Sequence, residues 1–360
     1  MNKATIDDVA GLAGVSIKTV SRVVNKEPNV REGTRARVLK AVSDLDYRPN
    51  PSARRLASKR SYLIGLLYDD PSLHDNPSSN YFVNLQQGAL RICKSESYDL
   101  LIHPCNYKDK NLRREILSLI SHSRIDGLVL APPLSDMNSI VSAIQKTGTP
   151  LVRISPGYRI DARSSVFTND REVCAAMTEY LASLGHTRIA FITGHPDHKA
   201  LANRYLGYQD GLKNAGLKHL KGLVKDGDNS FASGEECAKK LLQSKSPPTA
   251  IFACNDDMAT GVLRVAHQMG IKVPDELSVA GFDDIPLAQQ IYPSLTTIRQ
   301  PVRTMAETAV EILMADVRSR PAIEKPHTIA AVLKIRESTG PTPSKARSRR
   351  KTTRAAARAF

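Results

Sequence analysis

Over the first 46 residues, apolar positions recur at helical spacing in three short stretches. Ile6, Val9, Ala10 and Ala13 share one face of a first helix. Thr5 can cap it, with Asp8 three residues on as the capping-box partner. Gly14 suits a tight turn, and Ser16 can cap a second helix whose Val20, Val23 and Val24 point inward. A third helix is predicted from Glu32 to Leu45, with Val38, Leu39, Val42 and Leu45 on its inner face. Tyr47-Arg48-Pro49-Asn50-Pro51 then leaves helical geometry, because each proline restricts the residue before it. Asn50 followed by Pro51 suits a helix start, so a short basic helix is expected over 51–58.

Beyond Ser61 the pattern changes. Apolar runs at Tyr62–Leu67, Asp99–Ile102, Gly127–Leu130, Leu151–Ile154, Arg188–Thr193, Thr249–Ala253 and Leu277–Gly281 alternate with amphipathic stretches. The stretches lie near 81–95, 111–123, 136–147, 170–184, 200–215, 233–244, 256–269 and 302–318. Such alternation predicts an α/β body with parallel sheets, and two sets in series predict two similar lobes. The organisation expected is an all-α helix-turn-helix headpiece at 1–49, a hinge at 50–60 and a two-lobed body at 61–340. The lobes are placed at about 61–160 with 293–325 and at 161–292 with 326–340. Residues 341–360 lack apolar periodicity and read as a disordered basic tail.

Charge sharpens this division. The net +15 is carried by the ends: +7 in residues 1–60 and +7 in 341–360, against +1 for everything between. Basic ends on a neutral body point to a polyanionic partner at the ends. The five cysteines are scattered without a CxxC, which fits reduced thiols in a cytoplasmic protein. No apolar run reaches the ~18 residues of a membrane span, and no signal-peptide pattern opens the chain.

The first two helices have the parts a helix-turn-helix needs: small Ala10, turn-forming Gly14, and Val15 and Val20 to lock the second helix. That helix turns Ile17, Lys18 and Arg22 outward. Lys and Arg can donate to guanine O6 and N7 in the major groove, and Ile17 can touch a thymine methyl. The same features also suit a plain three-helix domain with a solvated basic face.

The stretch from Thr5 to Asn25, TIDDVAGLAGVSIKTVSRVVN, resembles the headpiece of the lactose-repressor (LacI/GalR-type) family of bacterial transcription regulators. Tyr47–Ala57 is similar to that family's hinge. Further matches lie at Leu184–Ile192, Asn255–Gly261, Leu277–Asp284 and Pro293–Pro301, so the resemblance spans about residues 4–340. Arg31 departs from it, standing where the family often has a capping serine. The resemblance implies DNA contacts from Thr5, Ser16, Ile17, Lys18, Thr19, Ser21, Arg22 and Asn25. It implies others from Asn50, Ser52, Ala53, Leu56 and Ala57 in the hinge, with Leu56 wedged into the minor groove. An apolar side chain on a short basic helix suits such intercalation. The resemblance also implies a homodimer on near-palindromic double-stranded DNA.

For the body it implies a periplasmic-binding-protein-like fold with a small-molecule effector between the lobes and no catalytic cofactor. Tyr81 and Phe82 match aromatic cleft positions, and Asp170, Arg204, Asn255, Asp283 and Gln300 match polar ones. Arg, Asn and Asp together offer donors and acceptors to vicinal hydroxyls, which favours a carbohydrate. Asn229 stands where relatives often carry a stacking aromatic, which argues against a purine. His195-Pro-Asp-His198 lies in a loop rather than on a helix, so a cleft-rim role is preferred to metal binding. A sugar receptor without DNA function is disfavoured by the headpiece. An enzyme is disfavoured because the body has no GxGxxG after its first strand, no P-loop and no GxSxG.

Overall fold

Thr5 opens α1 (Ile6–Ala13) as the spacing predicts. Its hydroxyl accepts from the Asp8 amide at 3.3 Å, and its own amide donates to Asp8 Oδ2 at 2.7 Å. The helix ends at Gly14, whose φ of 62° is left-handed backbone that favours glycine. The Ser16 hydroxyl then accepts from the Thr19 amide at 3.2 Å and starts α2 (Ile17–Val24). The third helix, α3 (Glu32–Asp44), begins at Arg31 with no side-chain cap bond, so the departure at that position costs the cap. Val9, Ala10, Ala13, Val20, Val23, Val38 and Ala41 form the core of this three-helix unit.

Leu39 does not join that core; it is 51% exposed. At 100° per residue, Val38, Ala41, Val42 and Leu45 converge on one face, while Leu39 falls about a quarter-turn away.

The computed structural model describes residues 4–24, 29–47, 60–69, 80–157, 164–318 and 327–342. The chain divides into two units, Met1–Tyr62 and Leu63–Phe360. The expected hinge helix over 51–58, with Asn50, Ser52, Ala53, Leu56 and Ala57, lies outside the described residues. So do Asn25 and residues 343–360 of the basic tail.

The larger unit contains two parallel sheets. The first holds β1 (Leu63–Asp69), β2 (Asp99–Cys105), β3 (Gly127–Leu130), β4 (Leu151–Ile154), β5 (Ser165–Thr168) and β11 (His327–Ile329), in the order β11-β5-β4-β3-β1-β2. It is accompanied by α4 (Asn80–Ser95), α5 (Leu112–Ser123), α6 (Asn138–Lys146) and α12 (Val302–Val317). The second holds β6 (Ile189–Thr193), β7 (Val224–Asp226), β8 (Ala250–Ala253) and β9 (Ser278–Ala280), in the order β7-β6-β8-β9. Its helices are α7 (Asp170–Ser183), α8 (Leu201–Asn214), α9 (Phe231–Leu242), α10 (Asp256–Gln268) and α11 (Pro286–Gln290). Strand β10 (Thr297–Arg299) pairs antiparallel with β12 (Val332–Lys334), and bridges at Ala280–Thr296 and Asp283–Arg299 join it to the second sheet. Strands β3, β4 and β8 are buried along their whole length, as strands covered on both faces must be.

The lobe boundaries differ from those expected. The first sheet runs on to Thr168 and takes in β11, while residues 296–299 belong with the second sheet. The chain therefore crosses between lobes at Thr168–Asp170, Arg299–Val302 and Ile329–Val332. These strands are only three or four residues long, so no apolar run announces them. The body also extends past Gly340. Thr342 is buried, and its amide donates to the Leu184 carbonyl at 3.2 Å.

Candidate functional sites: a helix face and an interlobe cleft

In the small unit, α2 buries Val20 and Val23 and turns the opposite face outward. Ile17 is 47% exposed, and Lys18 and Arg22 are exposed beside it. Thr19 and Ser21 are half-buried at the edges, and the Thr19 hydroxyl lies 3.0 Å from that of Ser16. The exposed face thus combines two cations with one aliphatic side chain on a single short helix. A face of that size and chemistry fits a major groove.

In the large unit, the ends of the strands bring distant residues together around Arg204. This side chain sits in the first turn of α8 and is buried. Its Nε donates to Asp170 Oδ2 at 3.0 Å, and its Nη1 donates to the Cys254 carbonyl at 2.6 Å. Nη1 is also 3.7 Å from Asp283 Oδ1, and the guanidinium lies 3.5 Å from the Phe282 ring centre. Asp170 is held in turn by the Thr168 hydroxyl. Burial opposes the Arg204 charge, but Asp170, Cys254 and Asp283 outweigh it and hold its pKa above the ordinary value. Burial pushes the Asp283 carboxyl up to about 7 against the pull of Arg204. Asp283 has φ 114°, a left-handed conformation that aims the residue after β9.

From the first lobe, Tyr81 reaches the same place. Its hydroxyl is buried, and burial, then Asp283, raises its pKa. Ser155, just after β4, places a second buried hydroxyl against it. Phe82 plays a different part, stacking on Tyr68 of β1 with ring centres 4.6 Å apart. Gln300 is 7% exposed and its Oε1 has no partner. Asn255 caps α10: its Oδ1 accepts from the Met258 amide and its Nδ2 donates to the Asn229 carbonyl. Both ends of that amide are thus engaged by the protein, one at the helix start and one on a loop.

Two further residues emerge. His198 buries an unpartnered Nε2, and burial, then Arg204 and His195, lowers its pKa to about 3, so the ring is neutral. Its neighbour His195 turns the other way, to Tyr107, so the two rings do not converge. Among the described residues no cluster of three or more metal-ligating side chains occurs. Asn229 is engaged as well, its Oδ1 accepting from the His195 amide at 3.2 Å. The signal for His198 was present in the His-Pro-Asp-His loop, whereas Ser155 stands in a Ser-Pro-Gly turn that carries none.

The cleft thus presents two carboxylates against one guanidinium, ringed by neutral groups. It can satisfy a ligand carrying several donors and acceptors.

The small unit matches the model of bacterial regulatory proteins, lacI family, over residues 5–50, and residues 178–339 match a periplasmic binding protein-like domain. The HTH-type transcriptional repressor PurR of Photobacterium profundum is 34% identical over 318 residues, 88% of this chain and 93% of that protein. The HTH-type transcriptional regulator GalR of Escherichia coli is 33% identical over 95% of this chain and 97% of its own length. Two solved structures are each 26% identical: the lac repressor dimer bound to operator and the anti-inducer ONPF, and the transcriptional regulator CelR–cellobiose complex. The first has a TM-score of 0.73 and covers 94% of this chain and 100% of that one; the second has 0.71 and covers 93% and 99%. These relatives are regulators and not enzymes. A helix-turn-helix unit followed by a two-lobed ligand-binding body is their shared plan, and this chain belongs to the lacI family of bacterial regulatory proteins.

Proposed function

We propose that this protein is a transcriptional repressor that releases or engages its operator in response to a neutral carbohydrate held between the lobes. The observation that carries the reading is the outward face of α2, where Ile17, Lys18 and Arg22 stand exposed opposite a fully buried Val20 and Val23. These three read bases. Thr5, Ser16, Thr19, Ser21 and Asn25 support them on phosphate and sugar, and Asn50, Ser52, Ala53, Leu56 and Ala57 of the hinge add minor-groove contacts. The protein acts as a homodimer on a near-palindromic site in the cytoplasm.

Two features favour a neutral carbohydrate. Arg204 is already shared by Asp170 and Asp283, so an anionic effector would compete with two carboxylates for it. Asn229 is tied to His195 and Asn255, so no aromatic platform stands there for a planar base. The CelR relative, solved with cellobiose, supports the same class. The test is a binding assay on DNA upstream of this gene and its neighbours, at two salt concentrations and with a panel of sugars and purines. Specific binding with a steep salt slope and a sugar-dependent shift is expected. A shift with purines alone would overturn the carbohydrate, and salt-insensitive binding would overturn the DNA reading.

A further inference from the structure

The three crossovers leave the first sheet at β5, β11 and α12, and enter the second beside β9 and β10. The hinge between lobes therefore lies at the β5–β11 edge of the first sheet. Strand β2 is the opposite edge, four strand spacings from β5, or about 19 Å at roughly 4.8 Å each. The residue that follows it most closely with a ring is Tyr107, and it faces the other lobe at the mouth of the cleft.

There its hydroxyl donates to Asp197 Oδ2 at 2.8 Å and lies 3.3 Å from His195 Nε2. His195 Nδ1 accepts from the Asp197 amide at 3.2 Å, which fixes the proton of a neutral ring on Nε2, pointing at the Tyr107 oxygen. The three groups form a closed ring of hydrogen bonds in which each proton has one acceptor. The Tyr107 amide donates to Asp69 Oδ1 at 3.0 Å, which anchors the ring to the end of β1. A second bridge lies nearer the hinge. Asp136, after β3, accepts from the Gly157 amide of its own lobe at 2.7 Å and from the Lys199 amide of the other at 3.1 Å. Beside it a Cβ on Gly157 would lie 2.5 Å from the Lys199 carbonyl carbon, so the backbones of the two lobes touch. The segment from His195 to Lys199 is thus held from the first lobe at several points, and His198 lies within it.

We propose that Tyr107, His195 and Asp197 form a clasp that holds the cleft shut at its mouth and sets how often the lobes part to exchange effector. The proposal rests on the cleft being the effector site. Its long lever arm from the hinge gives a few exposed hydrogen bonds leverage over the whole closure, and their replacement by water keeps the clasp reversible.

Amide hydrogen exchange in the effector-free, full-length protein reads the clasp directly. The Lys199 amide bonds across the lobes and reports opening, while the Leu128 amide bonds to the Pro150 carbonyl inside the first lobe and serves as the control. Tyr107→Phe is expected to speed Lys199 exchange three- to tenfold and leave Leu128 unchanged. Asp197→Ala is expected to do the same, and the double variant to add nothing to either, because both remove one ring of bonds. Unchanged Lys199 exchange in both variants, or strictly additive effects, would overturn the clasp. Thermal-shift measurements on the unaltered protein with D-glucose, D-galactose and D-ribose test the cleft separately. If none of the three binds while Lys199 exchange responds, the carbohydrate reading falls and the clasp stands.

Discussion

Replacing Arg204 with Met tests whether the cleft is organised by charge. The guanidinium is buried and serves Asp170, Asp283, the Cys254 carbonyl and the face of Phe282 together. Removing one partner of a buried ion pair costs about 3–5 kcal/mol, because the other charge is left without compensation. Here the loss is smaller for one carboxylate than for the other. Asp283 already titrates at about 7, and without Arg204 its pKa rises further, so at pH 7.5 it takes up a proton and avoids the penalty. Asp170 keeps only the Thr168 hydroxyl. Methionine retains apolar contact with Phe282 but forfeits the cation–π attraction, worth about 0.5–2 kcal/mol. We therefore expect Arg204→Met to destabilise the body by about 3 kcal/mol in urea denaturation at pH 7.5, near the lower end of the buried-pair range. Adding Asp170→Asn should recover at least about half, since the pair is then replaced by groups that carry no charge. A loss below about 1 kcal/mol, or a double variant less stable than the single one, would refute the argument.

Asp283 also makes stability depend on pH. Its folded value of about 7 exceeds the ordinary value of about 3.9, so between those limits the folded chain holds a proton that the unfolded chain has lost. Stability from this group is complete below about pH 4 and declines as pH rises to about 7, by up to about 4 kcal/mol; Asp283→Asn should flatten that decline in denaturant melts at pH 5 and 7.5. His198 works in the opposite sense, its contribution being lost as pH falls below about 6.5 towards its folded value near 3, so His198→Asn should reduce acid sensitivity. Gly207→Ala should destabilise the body by about 1–3 kcal/mol and weaken effector binding, because the new Cβ would lie 2.2 Å from the Arg171 carbonyl and push α8, with Arg204, off α7; an unchanged thermal transition would contradict this. Val20→Ala removes two methyl groups from the small unit's seven-residue core, so a loss of about 2 kcal/mol there should abolish operator binding while the body's melting transition stays in place.

Periodicity made most elements legible. The stretch near 170–184 appears as Asp170–Ser183, and the run Gly127–Leu130 appears unchanged as a strand. What periodicity could not show were the crossovers. Strands β5, β10, β11 and β12 are three or four residues long and mix polar or basic residues with apolar ones, since their identity comes from the neighbour they pair with. Leu39 shows the converse, an apolar residue at i,i+3 spacing from Val42 that nonetheless falls outside the core face. Asp170, Arg204 and Asp283, which the resemblance places in one cleft, meet in the structure, and Tyr81 lies beside them. Ser155 and Tyr107 were not legible, because a hydroxyl after a strand looks the same in sequence whether it meets solvent or the opposite lobe.

The same distinction bears on how a cleft of this kind acquires a new ligand. Residues such as Arg204 and Asp170 are fixed by one another, and changing either alone leaves a buried charge behind. Tyr81, Ser155, His198 and Gln300 are bound by no such constraint, since each is neutral and changing it leaves no buried charge behind. Substitution at these four can alter the donor and acceptor pattern facing the ligand without unbalancing the interior. Asn229 shows the limit: its side-chain Oδ1 holds the His195 amide and its φ of 72° is left-handed backbone, so replacing it with an aromatic would add a stacking surface but free the His195 loop and strain the backbone, while the bond from Asn255 to its main-chain carbonyl would survive. A change of effector class at that position therefore requires a compensating change in the His195 loop, whereas a change of sugar within one class does not.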